Sequence, residues 1–365
     1  CNGPGTSTWY ADGDGDGLGD SNDSLDSCDS LDGYVPNDDD VEPDCGTNDT
    51  DECGACGGGG IAEGECDCDG NIDLGCGCGE DGPSGCDETC GSNLEFDECG
   101  ECGGDGPAEN FTCEGFQPGT KEALQNAVDA WKSDASSAET TYGHISDWEV
   151  SLITDMELLF AGTWDNHSLF NDDIGNWDVS NVTNMNSMFF WNADFNQDIS
   201  SWNVSKVTNM HRMFENCFDF NQPLGDWDVS NVTDMFGMLA TTSFNQDVSG
   251  WDLSSIDVLS YLFKDNTSFN QDISGWDVSN ATEMQNMFNN ADSFNQDISG
   301  WDVSNVWDME GVFQNNDIFN QDITGWNVSS VTDMRRMFYN NSAFNYNISS
   351  WDISNVIDMD EMFDN

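Results

Sequence analysis

The sequence predicts a repeat solenoid, with one short strand plus a helical turn per 25-residue coil, preceded by a small irregular head that is disulfide-rich and calcium-binding. Two observations carry this. Tryptophans recur at Trp177, Trp202, Trp227, Trp251, Trp276, Trp301, Trp326 and Trp351, separated by 25, 25, 24, 25, 25, 25 and 25 residues. A fixed period of that size means a unit that cannot close a core alone and buries one by stacking on its neighbours. Cysteine and charge are also divided: 14 of the 15 Cys lie between Cys1 and Cys113, and residues 1–120 hold 32 of the 71 acidic residues without one Lys or Arg.

Residues 1–50 form the first predicted segment, rich in Asp. Asp12-Gly13-Asp14-Gly15-Asp16-Gly17-Leu18-Gly19-Asp20-Ser21-Asn22-Asp23 places Asp at loop positions 1, 3, 5, 9 and 12, with Gly at 6 and the Leu18 carbonyl available at 7. That is the oxygen spacing of an EF-hand-type calcium loop, with Asp12, Asp14, Asp16, Leu18, Asp20 and Asp23 as ligands. No amphipathic helices flank it, so a paired sensor is not expected. The stretch of about 35 residues from Trp9 resembles the calcium loops of thrombospondin type 3 repeats. Asp67, Asp69, Asn71 and Asp73 form a shorter second candidate for calcium.

Residues 51–117 are Cys- and Gly-rich and contain D-E-C-G-x-C-G-G twice, at Asp51–Gly58 and Asp97–Gly104. The motif resembles D-x-C-G-x-C-G-G-D spacers of extracellular matrix-type proteins. The pairs Cys53/Cys56 and Cys99/Cys102 have zinc-ligand spacing. In a chain this dense in Cys they read as disulfide partners, of unassigned connectivity, and imply an oxidising, extracellular or cell-surface location. A chain opening on Cys1 fits a mature, secreted form. The head has too little apolar surface to fold by burial alone, so crosslinks and metal must hold it.

Residues 118–143 are expected to form a helical N-terminal cap, with its helix over Lys121–Lys132. Residues 144–365 form nine copies of F-N-Q-D-I-S-G-W-D-V-S-N-V-T-D-M-x-x-M-F; Trp148 opens the first, four residues longer than the rest. Apolar positions fall at Trp−7, −3, 0, +2, +5, +8, +11 and +12. A strand is expected at Trp and Val, and a helical turn over M-x-x-M-F. All 14 Met lie in these units, at spacings that read as soft core packing.

This unit resembles the 25-residue repeat of bacterial surface proteins and mycoplasma lipoproteins related to the BspA-type leucine-rich repeats. The lead-in from Lys121 to Trp131, with Tyr142-Gly143-His144-Ile145, is similar to that family's opening. The resemblance covers roughly residues 118–365. It implies a leucine-rich-repeat-like fold at or beyond a cell surface, adhesion as the usual role, and no catalytic residues.

Stacked coils would place Asp198, Asp247, Asp272, Asp297 and Asp322 in one ladder and Asp228, Asp252, Asp277 and Asp302 in another. Such neighbours repel by about 1 kcal/mol even in a water-like dielectric, so the ladders are either solvated or bridged by cations. Asn181, Asn231, Asn280, Asn305 and Asn355 are expected to form a buried amide ladder, and Cys217 a buried free thiol. Several Asn, among them Asn203 and Asn327, also begin N-x-S/T acceptor sequences.

The net charge, 7 − 71 = −64, excludes nucleic acid and the anionic membrane leaflet as partners. No apolar run is long enough to insert in a membrane. The three His lack a repeated nucleophile or acid partner, so the chain is not expected to be an enzyme. What remains is a calcium-stabilised structural protein of a surface or matrix, or an adhesin whose repeat face binds a glycan or host protein. Because the last unit breaks off after Asn365, head-to-tail self-association into a filament is expected, with a piece of a longer array as the alternative.

Overall fold

The computed structural model describes residues 5–364; Cys1 and Asn365 lie outside them. The chain divides into two compact units, one ending at Gly106 and one beginning at Pro107. The predicted boundary at 118 therefore falls inside the second unit.

In the first unit, β1 (Ser7–Ala11) pairs antiparallel with β2 (Asp20–Ser27), and β3 (Tyr34–Val35) joins β1 on its other edge. The loop Asp12–Gly19 connects the two long strands, and the register shifts beside it between Tyr10 and Ala11. From Cys45 onward, disulfides Cys45–Cys56, Cys53–Cys68, Cys66–Cys78, Cys76–Cys90 and Cys86–Cys102 overlap in sequence, each starting inside the loop closed by the one before. Cys28, Cys99 and Cys113 are disulfide-bonded as well. The hairpin β4 (Pro83–Ser84) and β5 (Thr89–Cys90) is the only regular pairing of named strands in that stretch among the described residues.

The repeated D-E-C-G-x-C-G-G motif acquires a physical meaning here. Asp51 Oδ1 accepts the N–H of Cys53 (3.0 Å) and Ala55 (2.9 Å), and Oδ2 accepts that of Gly60 (2.8 Å). Asp97 repeats this with Cys99, Glu101 and Gly106. One carboxylate thus satisfies three backbone donors of a loop that has no ladder to do so.

The second unit opens with the hairpin β6 (Phe111–Thr112) and β7 (Gly115–Phe116) and continues into α1 (Lys121–Ser133) and α2 (Ala135–Tyr142). Thr120 caps α1 by accepting from Ala123 N–H at 3.2 Å, and Leu124, Ala127, Val128 and Trp131 bury its inner face. Phe116 and Tyr142 pack edge-on against Trp148, which closes this end of the repeat core.

Within the repeat the recurring Trp, Phe, Asn and Gln have assignable contacts. The Trp rings are 3–8% exposed; from Trp177 on, each indole N–H donates to a carbonyl of the preceding coil, as Trp276 Nε1 does to Val248 O at 2.9 Å, while that of Trp148 donates to Gly143 O. The Phe at Trp−7 stack along the array at 6.1–6.3 Å, from Phe220 through Phe319. In F-N-Q, Asn270 Oδ1 accepts from Asn295 N–H (3.1 Å) and from Gln296 Nε2 (2.9 Å) of the next coil, and the pattern recurs from Asn171 to Asn320. Side-chain amides therefore supply hydrogen bonds that strands would otherwise have supplied.

Among the described residues, the strand and the helical turn predicted for each coil are both absent. Backbone pairing between coils recurs as an isolated parallel bridge at Trp+7, running Asp155, Asn184, Asn209, Asp234, Val258, Glu283, Asp308, Asp333, Asp358, with one more, Ser168 to Asn192, between the first two coils. Over M-x-x-M-F the chain makes consecutive tight turns, with Met188 N–H donating to Met185 O and Phe190 N–H to Ser187 O. Alternate N–H groups leave the coil, Met185 to Asn209 O, Ser187 to His211 O and Phe189 to Met213 O. An α-helix would direct those donors along its own axis, and so short a segment cannot repay helix nucleation. Turn and helix share three- and four-residue apolar spacing, which is why the sequence pattern did not separate them. Residue Trp+10 takes a left-handed conformation throughout, with φ between 52° and 65° from Ser187 to Glu361.

The Asn ladder forms the expected bonds, Asn231 Nδ2 donating to Ser205 O at 2.8 Å and Asn305 to Ser279 O at 2.8 Å, but on the surface. Its burial was mispredicted because the partners are carbonyls at the coil's rim. Cys217 is a buried free thiol, donating to Phe189 O at 2.9 Å, and burial pushes its pKa far up.

Candidate metal centre

The loop after β1 curls because Gly15 and Gly17 adopt φ of 83° and 88° and because its carboxylates collect its own N–H groups. Asp12 accepts from Gly15 (2.8 Å) and Gly17 (3.2 Å), and Asp16 accepts from Leu18 (2.7 Å). The result brings one carboxylate oxygen each of Asp12, Asp14 and Asp16 within 4.8 Å of one another. Asn48 Nδ2 donates to Asp16 Oδ2, tying a distant segment to the loop. Gly19 admits no side chain: a Cβ there would lie 2.3 Å from Asn37 O and 2.4 Å from Tyr10 Cβ. This close approach lets Asn37 bond both Gly19 N–H and Gly17 O, and lets Asp40 N–H reach Gly19 O.

Asp40 is the residue that sequence reasoning missed. It is 5% exposed, pairs with Asp20 across the loop, and accepts Glu42 N–H at 2.8 Å through Oδ1. Its Oδ2 is buried without a partner, and so is Oδ2 of Asp14. Burial, then the charges of Asp14, Asp16 and Asp20, push the Asp40 carboxyl above the usual range. The run Asp38-Asp39-Asp40 was the available signal, but nothing local in it says which Asp turns inward.

The other predicted ligands fare differently. Leu18 lies in the loop, and Asp20 starts β2 at half exposure. Asp23 lies exposed in β2, in the bulge between the paired residues Asp20 and Ser24, outside the three-carboxylate group. In the second candidate, Asp67 Oδ1 accepts from Asp69 and Asn71 N–H, its Oδ2 from Asn71 Nδ2, and Asp73 from Gly75 and Gly77. Those oxygens are taken up in stapling backbone. Two Cys–Asp groups, Cys45/Asp49/Cys56 and Cys66/Asp67/Cys78, are close in space, but their sulfurs are disulfide-bonded and are not thiolate ligands.

On the repeat, variable positions of successive coils gather into one row. The Arg212 guanidinium lies 5.2 Å from the Phe236 ring centre and 5.9 Å from that of Phe190, and His211 stacks on Phe236 at 4.9 Å. Lys264 lies 5.7 Å from Tyr261. Each basic side chain has an acidic partner in place: Arg212 with Glu215 at 3.1 Å, His211 with Asp234 at 3.1 Å, Lys264 with Asp265 at 3.2 Å. The row is therefore charge-satisfied within itself.

No helix among the described residues is long and apolar enough to cross a membrane. The model of a family described as "Mycoplasma protein of unknown function, DUF285" matches residues 129–243, 225–311 and 260–365, overlapping windows that together run from α1 through the last coil. No curated protein and no solved structure matches the chain.

Proposed function

Since this chain belongs to the DUF285 family, we propose that it is a secreted structural repeat protein of a cell surface or matrix, its repeat a leucine-rich-repeat-like solenoid and its head locked by disulfides and calcium. The observation that carries the calcium reading is the buried, unpartnered oxygen of Asp40 together with that of Asp14, beside Asp12 and Asp16. Buried carboxylate oxygens without donors are costly unless a cation compensates them, and an all-oxygen group of this charge suits Ca2+. Asp12, Asp14, Asp16 and Asp40 would hold the ion, which would fasten the loop and the 37–40 segment together. The overlapping disulfides support an oxidising location. The proposal includes no catalytic step.

Calorimetric titration with Ca2+, and hydrogen exchange with and without chelator, test it. Saturable binding that protects residues 10–48 is the expected result, and Asp40→Asn should weaken it while Asp23→Asn does not. Equal protection of that segment in calcium and in chelator would overturn the reading.

A further inference from the structure

The first coil breaks the period: Trp148 and Trp177 are 29 residues apart. The extra residues close a turn in which Thr163 and Asn166 exchange backbone hydrogen bonds of 2.9 and 3.1 Å. That turn carries Trp164 into solvent, 76% exposed. Gly162 makes the detour possible, because a Cβ there would lie 2.2 Å from Ser168 N and 2.6 Å from Trp191 O.

Between this turn and α1 lies a cleft of about 610 Å³, lined among others by Asp129, Lys132, Asn166, His167, Ser168 and Asp172. Its polar groups have spare capacity. Among the described residues Asp129 accepts only from Gln125 Nε2 (3.0 Å), and Asp172 only from the Trp131 indole N–H (2.8 Å). Lys132 Nζ donates to Ala161 O at 3.2 Å, leaving further N–H groups. Ser168 is 5% exposed, and its hydroxyl has no partner. At the cleft's edge the His167 ring stacks on Trp191 at 4.9 Å.

We propose that this cleft binds a neutral oligosaccharide. Sugar hydroxyls both donate and accept, which suits two carboxylates, an ammonium, a hydroxyl and an imidazole set close together. An apolar ligand would desolvate those groups without pairing them. An anionic ligand would meet two carboxylates on a segment, residues 121–365, with 39 acids and 7 bases. The volume is that of small-molecule sites, and Trp164 stands exposed on the turn whose Thr163 and Asn166 line the cleft.

The test is a panel of neutral hexasaccharides (cello-, laminari-, xylo-, manno-, malto- and chito-) and acidic oligogalacturonate and oligoguluronate, at millimolar concentration, read by saturation-transfer NMR and calorimetry on the intact chain. Saturable binding of a neutral member is expected, at least about tenfold weaker in Ser168→Ala and Asp129→Asn and weakened in Trp164→Ala, whose exposed side chain leaves folding intact. Trp307→Ala, at an exposed Trp of another coil, should bind as the parent does. Binding should persist in chelator, which separates this result from the calcium reading. No neutral binding, preference for an acidic member, or parent-like binding by all three cleft variants would overturn it.

Discussion

Trp276 shows what one side chain contributes. It is 4% exposed, its ring lies 6.3 Å from those of Trp251 and Trp301, and its N–H bonds Val248 O. Trp276→Ala should cost about 3–5 kcal/mol and reduce hydrogen-exchange protection most in the adjoining coils. Uniform loss across the array, or none, would contradict the nearest-neighbour picture. At the turn, Gly311 has φ +62° and a Cβ there would meet Asn286 Oδ1 at 2.4 Å, whereas Gly275 faces open space. Gly311→Ala should therefore lower stability by about 1–2 kcal/mol, and Gly275→Ala should be neutral or slightly stabilising in the same denaturant series.

Among elements, the Asp-Ser turns of the coil set the response to acid. Asp198, Asp272 and Asp297 are held below the usual carboxylate range, first by the hydroxyl and then by the backbone N–H of the Ser two residues on. Asp51 and Asp97 of the head are lowered by backbone N–H groups. A depressed folded-state pKa contributes stability above the unfolded value of 3.8, and that contribution is lost as pH falls through the folded value. Both units should thus destabilise as pH drops below about 4, followed by circular dichroism for the repeat and amide exchange at Ala55 and Gly60 for the head. Stability unchanged between pH 5 and 2 would rule out these staples as stabilising contacts. The two expected Asp ladders therefore read as turn-formers, each carboxylate engaged with its own coil.

For the whole molecule, the two units are held by different forces and should fail separately. The repeat has a continuous core from Phe116 to Met362, while the head relies on loops of 11–16 residues closed by disulfides. Each such loop is worth about 3 kcal/mol in the chain-entropy view. Reduction should therefore unfold residues 5–106 and leave the cooperative transition of 107–364 in place, resolved by limited proteolysis with mass mapping. One transition, lost entirely on reduction, would show that the repeat depends on the head.

The period, the core positions, the cap helix and the division into a crosslinked head and a packed repeat were all determined by the sequence, because a 25-residue recurrence of large apolar residues admits one way of burying them. The Asp12–Asp16 loop was legible for a similar reason: alternating Gly and Asp dictate a local curl. Three things were decided only in three dimensions. M-x-x-M-F became turns rather than a helix, since its N–H groups found acceptors one coil away, at a separation of 24 residues that no local propensity encodes. Asp40 joined the acidic loop through the close approach at Gly19, across a separation of more than twenty residues. The cleft at Ser168 exists because four extra residues were folded outward against α1, and an insertion in a repeat announces its place in the chain but not the surface it will face.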